Sequence, residues 1–201
     1  MGSHEIGPGG LRGPVRVFHA GEEEIRKPDV FHGRKNADFG QGFYLSPQEA
    51  FVRRWAHEGK DGRAVFNVYE LETEGLQVRR LNRDAEWFDV IDDNRHMRGD
   101  RFRDWDVVVG PIANDTIYDV MGITTSGLLR RDQSLALLLE GPAYEQIVLK
   151  SPRAAQQLRF LGSEVLSREE IETYRATVHE EEKAYQEVFA RTLERVLEAE
   201  G

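Results

Sequence analysis

Asp38-Phe39-Gly40-Gln41-Gly42-Phe43-Tyr44-Leu45-Ser46 is the stretch whose reading decides the fold. Gly40 and Gly42 carry no Cβ, so the backbone there can approach a ligand closely. Phe43-Tyr44-Leu45 is a short apolar run of strand type. Ser46-Pro47-Gln48-Glu49 then supplies a helix N-cap, a proline at the first helical position and a glutamate three residues after the cap. The pattern predicts a strand that turns into a helix over residues 47–57, with Tyr44 at one end of the unit and Trp55 at the other. Two rings so placed can sandwich a flat ligand. They also suit a core of aromatics beneath a glycine-rich turn, and this segment alone leaves both readings open.

Upstream, residues 15–18 are a β-prone run ending at His19-Ala20-Gly21, which reads as a strand delivering a histidine to a turn. The chain from there to Gly42 is polar and irregular. Downstream, residues 64–71 read as an apolar strand, 75–81 as a weaker one, and 105–109 as a buried one closed by Gly110-Pro111. A leucine-rich segment over 128–139 has helical character and stops at Gly141-Pro142. Residues 146–149 form another short strand, and a helix begins near Pro152.

The last part of the chain differs in kind. Ser167 and Glu170 form a capping box, and Ile171, Tyr174, Val178, Tyr185, Val188, Thr192 and Val196 fall on one helical face. A long amphipathic helix is therefore expected over 167–201. It either packs on its own domain or docks a protein partner or a second copy. Residues 95–103 hold a cluster of arginines that suits a solvated loop or a contact surface for an anionic target.

Composition narrows the classes. The chain has 201 residues, of which 39% are hydrophobic, enough for one well-packed domain with a modest appendage. A formal net charge of -9 argues against duplex nucleic-acid binding as the main role. There is no cysteine, which removes thiol nucleophiles, disulfides and Cys-ligated zinc. The sequence contains neither a run of about 18 apolar residues nor a signal-peptide pattern, so no membrane association is expected. Residues 1–14 are rich in Gly and Pro and read as a disordered or tag-derived leader. His4, His32, His57, His96 and His179 show no metal-ligand spacing with carboxylates, so no metal is expected.

Three stretches together resemble a known superfamily. Phe18-His19-Ala20-Gly21, then Phe39 to Ser46, then Glu145-Gln146-Ile147-Val148-Leu149 stand in the order of the three motifs of the histidine-tyrosine-glutamate branch of the ADP-ribosyltransferases. The chain is most similar to a mostly bacterial family of that superfamily, originally catalogued as a domain of unknown function. Trp55-Ala56 and Val109-Gly110-Pro111-Ile112-Ala113-Asn114-Asp115 carry the rest of the likeness, which spans residues 15–166.

The resemblance implies an α+β fold of two small, mostly antiparallel sheets meeting at an NAD cleft, flanked by helices, with the long C-terminal helix appended. It implies an NAD-dependent mono-ADP-ribosyltransferase, a glycosyltransferase that releases nicotinamide and modifies a protein or nucleic acid, in the manner of a toxin or effector module. His19 is expected to bond a ribose hydroxyl, with the backbone of Ala20 and Gly21 on the nicotinamide carboxamide. Tyr44 and Trp55 are expected to stack on the ring, with Gly42 and Phe43 beside it, while Asp38 and Arg34 either shape the phosphate and nicotinamide ends of the site or are ordinary loop residues. An acceptor from Gln146 or Glu145 would stabilise the oxocarbenium-like transition state at the 2′-hydroxyl.

Two positions depart from the superfamily pattern. Ala20 replaces the glycine after the histidine, which matters little where backbone atoms make the contact. Gln146 aligns best with the catalytic glutamate, and it can accept a hydrogen bond but carries no charge and cannot act as a base. Consecutive strand residues face opposite ways, so only one of Glu145 and Gln146 can enter the cleft, and Gln146 is preferred. The alternatives are a catalytically inactive NAD- or ADP-ribose-binding module, an NAD glycohydrolase, or 2′-phosphate transfer on RNA. A cytoplasmic location, or delivery into a target cell within a longer protein, fits either class.

Overall fold

The computed structural model describes residues 13–54, 56, 58–59, 62–113, 130–139 and 144–198. Ala64–Leu71 (β3) is apolar at almost every position because it is the middle strand of its sheet. Val15–Gly21 (β1) pairs with it antiparallel on one side, with His19 opposite Asn67. Leu158–Leu166 (β7) pairs antiparallel on the other, with a register shift between Val68 and Tyr69.

The second sheet runs in the order β2-β6-β5-β4. Phe43–Leu45 (β2) and Val107–Pro111 (β5) flank Glu145–Leu149 (β6), both antiparallel to it, while Val78–Arg80 (β4) adds parallel to β5. β6 is central, and Ile147, Val148 and Leu149 are wholly buried. The fold is thus α+β with two mostly antiparallel sheets. They meet where Phe18 and Ser46 exchange both backbone bonds, at 2.9 and 3.0 Å. That single bridge sets the strand carrying His19 beside the strand carrying Tyr44.

Glu49–Arg54 (α1), Ala85–Arg95 (α2), Arg131–Leu138 (α3), Pro152–Gln156 (α4) and Arg168–Glu198 (α5) cover these sheets. Trp87, Phe88, Val90 and Ile91 of α2 pack with Phe39 and Val148 in one core cluster. Val17, Tyr69, Leu71, Val107, Ile147 and Leu149 form a second between the sheets. Ile171 of α5 joins Phe18, Phe51 and Phe66 in a third. Farther along α5, Phe189 and Leu193 pack against the first cluster, so the helix touches the domain at both ends. Its Ser167–Glu170 capping box is formed, with Glu170 N donating to Ser167 Oγ at 3.2 Å.

Several boundaries differ from expectation. The helix expected over 47–57 is Glu49–Arg54, because Ser46 is held in the bridge, Gln48 O accepts the first helical bond from Val52 N, and Ala56 N turns to Arg53 O. The strand expected at 105 starts at Val107, since the Trp105 amide closes a turn on Phe102 O. The strand expected over 75–81 is confined to β4, because Leu76 N bonds Thr73 O. His19 lies inside β1 rather than at a turn. α2 and β7 were not expected. Asp84 caps α2 by accepting from Glu86 N and Trp87 N, and β7 alternates too poorly to read as a strand.

The arginines over 95–103 lie beside carboxylates. Arg98 pairs with Asp92 and Asp93, Arg101 with Asp93 at 2.6 Å, and Arg95 with Asp38 at 2.5 Å. Asp92 and Asp93 of α2 and Asp38 thus hold three of these arginines, and Arg103 lies beside Asp104. Residues 1–12, Trp55, His57, Asn114, Asp115, Gly141 and Pro142 lie outside the described residues, as do the side chains of Val178 and Val196.

Candidate functional site

At the junction of the sheets a cavity of about 980 Å³ opens. β1 contributes His19 and Ala20, the glycine-rich segment contributes Asp38, Gly42, Phe43 and Tyr44, and β6 contributes Gln146. Phe51, Arg95, Ile112 and Ala113 complete its inner wall. Lys27, His32 and Arg34, all exposed, stand at its rim with Glu23 and Asp29.

His19 is held by its neighbours' backbone and rings. Its Nδ1 lies 2.8 Å from the Tyr44 carbonyl oxygen, and its ring tilts against Phe43 with centroids 4.7 Å apart. A carbonyl oxygen only accepts, so Nδ1 carries the proton. Burial lowers the imidazole pKa, against the opposing pull of the bond to Tyr44. The neutral ring therefore leaves Nε2 as a bare acceptor, and Nε2 lies where a Cβ on Gly21 would approach it to 3.1 Å.

The edge of β1 matters as well. Phe18 turns its backbone groups to Ser46, and strand alternation turns those of Ala20, two residues on, to the same edge. The Ala20 amide and carbonyl thus face the cavity rather than β3.

Tyr44 offers the cavity its ring, not its hydroxyl. The hydroxyl donates to Gly40 O at 2.7 Å and accepts from Phe39 N at 3.0 Å, which staples the turn over its own strand. Burial pushes its pKa well above the ordinary tyrosine value, and the Asp38 charge adds to the rise. From beneath, the ammonium of Lys150 donates to Phe39 O and to Asp100 Oδ2, the latter at 2.6 Å. Burial lowers the Lys150 pKa, although Asp100 pulls it upward. Gly40 takes φ +74, and a Cβ there would collide with the Asp100 carboxylate. Only glycine fits.

Asp38 ties the site together. Arg95 donates to its Oδ1 from Nε at 2.8 Å and from Nη2 at 2.5 Å. Its Oδ2 accepts from Ala113 N at 3.1 Å and from Gln146 Nε2 at 3.2 Å. Gln146, 6% exposed, therefore spends its amide protons on Asp38 and more weakly on Pro111 O at 3.4 Å. Among the described residues its Oε1 has no hydrogen bond. Glu145 points elsewhere, against Arg80, and burial raises its pKa while Arg80 pulls it down.

The structure thus brings together His19, Ala20, Asp38, Gly42, Phe43, Tyr44 and Gln146, with Gly21 beside the His19 ring. Glu145 is not among the cavity residues, and Trp55 lies outside the described ones. Sequence reasoning missed Arg95 as a site residue, having placed it in the basic cluster. It also missed Lys27 and His32 at the rim. Among the described residues no group of three His, Asp or Glu side chains could hold a metal ion, and no helix is long and apolar enough to cross a membrane.

Fold and site define a two-sheet α+β protein with a ligand-sized cavity of mixed polar and apolar lining where the sheets meet. Residues 15–160 match the family described as Protein of unknown function (DUF3990), and the chain belongs to that family. The match covers every described cavity residue. No curated protein matches the chain.

Proposed function

We infer that the cavity binds NAD and that the protein transfers ADP-ribose from it to a macromolecular acceptor, releasing nicotinamide. The observation that carries this reading is the convergence of His19, Tyr44 and Gln146, from three separate strands, on one cavity. Its volume of about 980 Å³ suits an extended dinucleotide, lying near the top of the range of about 300–1,000 Å³ for small-molecule sites.

Each group has a task in that reading. His19 Nε2 accepts from a ribose hydroxyl, and the Ala20 edge pairs with the nicotinamide carboxamide. The Tyr44 ring stacks on nicotinamide, holding the glycosidic bond in position to break. Lys27 and Arg34 at the rim offset the diphosphate charge. Gln146 Oε1 accepts from the 2′-hydroxyl as positive charge develops on the ribose.

One observation favours a second reading, a module that binds NAD or ADP-ribose without turnover: the group at the 2′-hydroxyl position is an uncharged amide. Incubation with labelled NAD and whole-cell lysate, treated separately with protease and nuclease, separates the two and identifies the acceptor class. Transfer predicts nicotinamide release and a labelled protein or nucleic acid, both lost in His19→Ala. NAD binding by calorimetry without release would establish the binding module. Rapid NAD loss without any labelled acceptor would instead indicate a glycohydrolase.

A further inference from the structure

Four donors converge on one carboxylate: two from Arg95 on Asp38 Oδ1, and those of Ala113 N and Gln146 Nε2 on Oδ2. A carboxylate accepts on both oxygens and satisfies all four. Its Oδ2 cannot donate, so the group of Gln146 that faces it is the NH2, and Oε1 is left for the cavity. The geometry points to Asp38 as the positioning residue that makes Gln146 an acceptor toward a ligand, and as the reason a carboxamide stands at position 146. The catalytic consequence rests on the NAD-transfer reading, whereas the coupling between the two side chains does not.

A carboxylate at 146 would lie at hydrogen-bond distance from that of Asp38. Two like charges so close cannot both persist, and one carboxyl keeps its proton. The other charged or titratable groups around the position offer no relief. Arg95 of α2 already sits on the far oxygen of Asp38, burial of His19 of β1 favours its neutral ring, the Tyr44 hydroxyl is committed to Gly40, and Arg34, whose charge reaches Tyr44, is exposed to solvent. A protonated carboxyl, in contrast, reproduces the amide: its O–H donates to Asp38 and its carbonyl faces the cavity.

Three variants test this, Gln146→Glu, Asp38→Asn and the double variant, each followed by nicotinamide release from NAD and by thermal midpoint without NAD, from pH 5 to 8. Gln146→Glu is expected to fall about tenfold below wild type at pH 8 and to recover as pH falls, its midpoint gap closing in parallel. Asp38→Asn is expected to lose about tenfold at every pH, since an amide meets only one of the two donor pairs. In the double variant the introduced NH2 donates to the introduced carboxylate, so in both readouts its loss at pH 8 is smaller than the sum of the two single losses. A Gln146→Glu gap that stays flat or widens as pH falls, with an additive double variant, overturns the positioning role even if wild type is active. Should Asp38→Asn fail to fold, the pH dependence of Gln146→Glu decides alone. If wild type neither binds NAD nor releases nicotinamide while the midpoints follow the expected pattern, the NAD reading fails and the Asp38–Gln146 couple stands.

Discussion

His19 and Tyr44 meet through the ring of one and the backbone of the other, with Nδ1 2.8 Å from the carbonyl oxygen. Replacing Tyr44 therefore leaves the imidazole anchored, whereas moving β2 does not. Because burial lowers the His19 pKa, the fold favours the neutral ring. The sign follows from linkage: this contribution to stability is complete above the ordinary value of 6.5 and is lost as pH falls through the lower folded-state value. Wild type is expected to lose more stability than His19→Asn as pH falls from 6.5 through that lower value, as read by thermal midpoints. Nicotinamide release by His19→Ala is expected to drop about a hundredfold. Equal acid sensitivity of the two proteins would contradict a neutral buried imidazole.

Tyr44 separates ring from hydroxyl. Among the described residues its hydroxyl bonds Gly40 O and Phe39 N, so Tyr44→Phe is expected to lower stability by about 2 kcal/mol through the unpaired backbone groups. With the stacking face intact, nicotinamide release by Tyr44→Phe is expected to stay within about threefold of wild type, whereas Tyr44→Ala loses about tenfold or more. Urea denaturation and release assays on both variants check this. A Phe variant as inactive as the Ala variant would place the hydroxyl in the chemistry.

The local parts of this site were legible because local rules govern them. A β-prone run before His19, two glycines before a strand and an apolar run after Gln146 are each readable within a few residues. Strand alternation also separated Gln146 from Glu145 in principle. What lay beyond reach were pairings across long stretches of chain, since no spacing rule links Asp38 to Arg95 or to Gln146. Arg95 looked like part of a basic cluster, and only the packing of α2 against the glycine-rich turn turned it inward. β7 escaped because its burial alternates irregularly around Gly162 and the shift at Val68/Tyr69. The helix after Ser46 was overextended because Ser46 is held in the bridge to Phe18 and the first helical bond, from Val52 N, is accepted by Gln48 O.

The C-terminal helix contributes to the core. Ile171 is 1% exposed and packs with Phe18 and Phe51, next to the bridge that sets the cavity floor. Ile171→Ala is expected to cost about 3 kcal/mol, the loss usual for such a truncation in a packed core. A urea titration measures it. A loss under about 0.5 kcal/mol, the range of ordinary surface substitutions, would mean the helix is only loosely attached.

Gly21 offers the sharpest probe of where the ligand sits. It shares a strand face with His19, and an added Cβ would stand 3.1 Å from Nε2, with no backbone collision. Its φ is not in the left-handed region, so alanine suits the backbone. Gly42 is different, because a Cβ there would lie 2.7 Å from the Leu149 carbonyl oxygen, inside the second sheet. Gly42→Ala should therefore unfold the protein at lower temperature, while Gly21→Ala keeps its thermal midpoint and places a methyl against the one free imidazole nitrogen. If Nε2 receives a ribose hydroxyl, the KM for NAD in Gly21→Ala is expected to rise about tenfold, the worth of one such bond, with kcat changing less. An unchanged KM in a folded Gly21→Ala protein would take Nε2 out of the binding site.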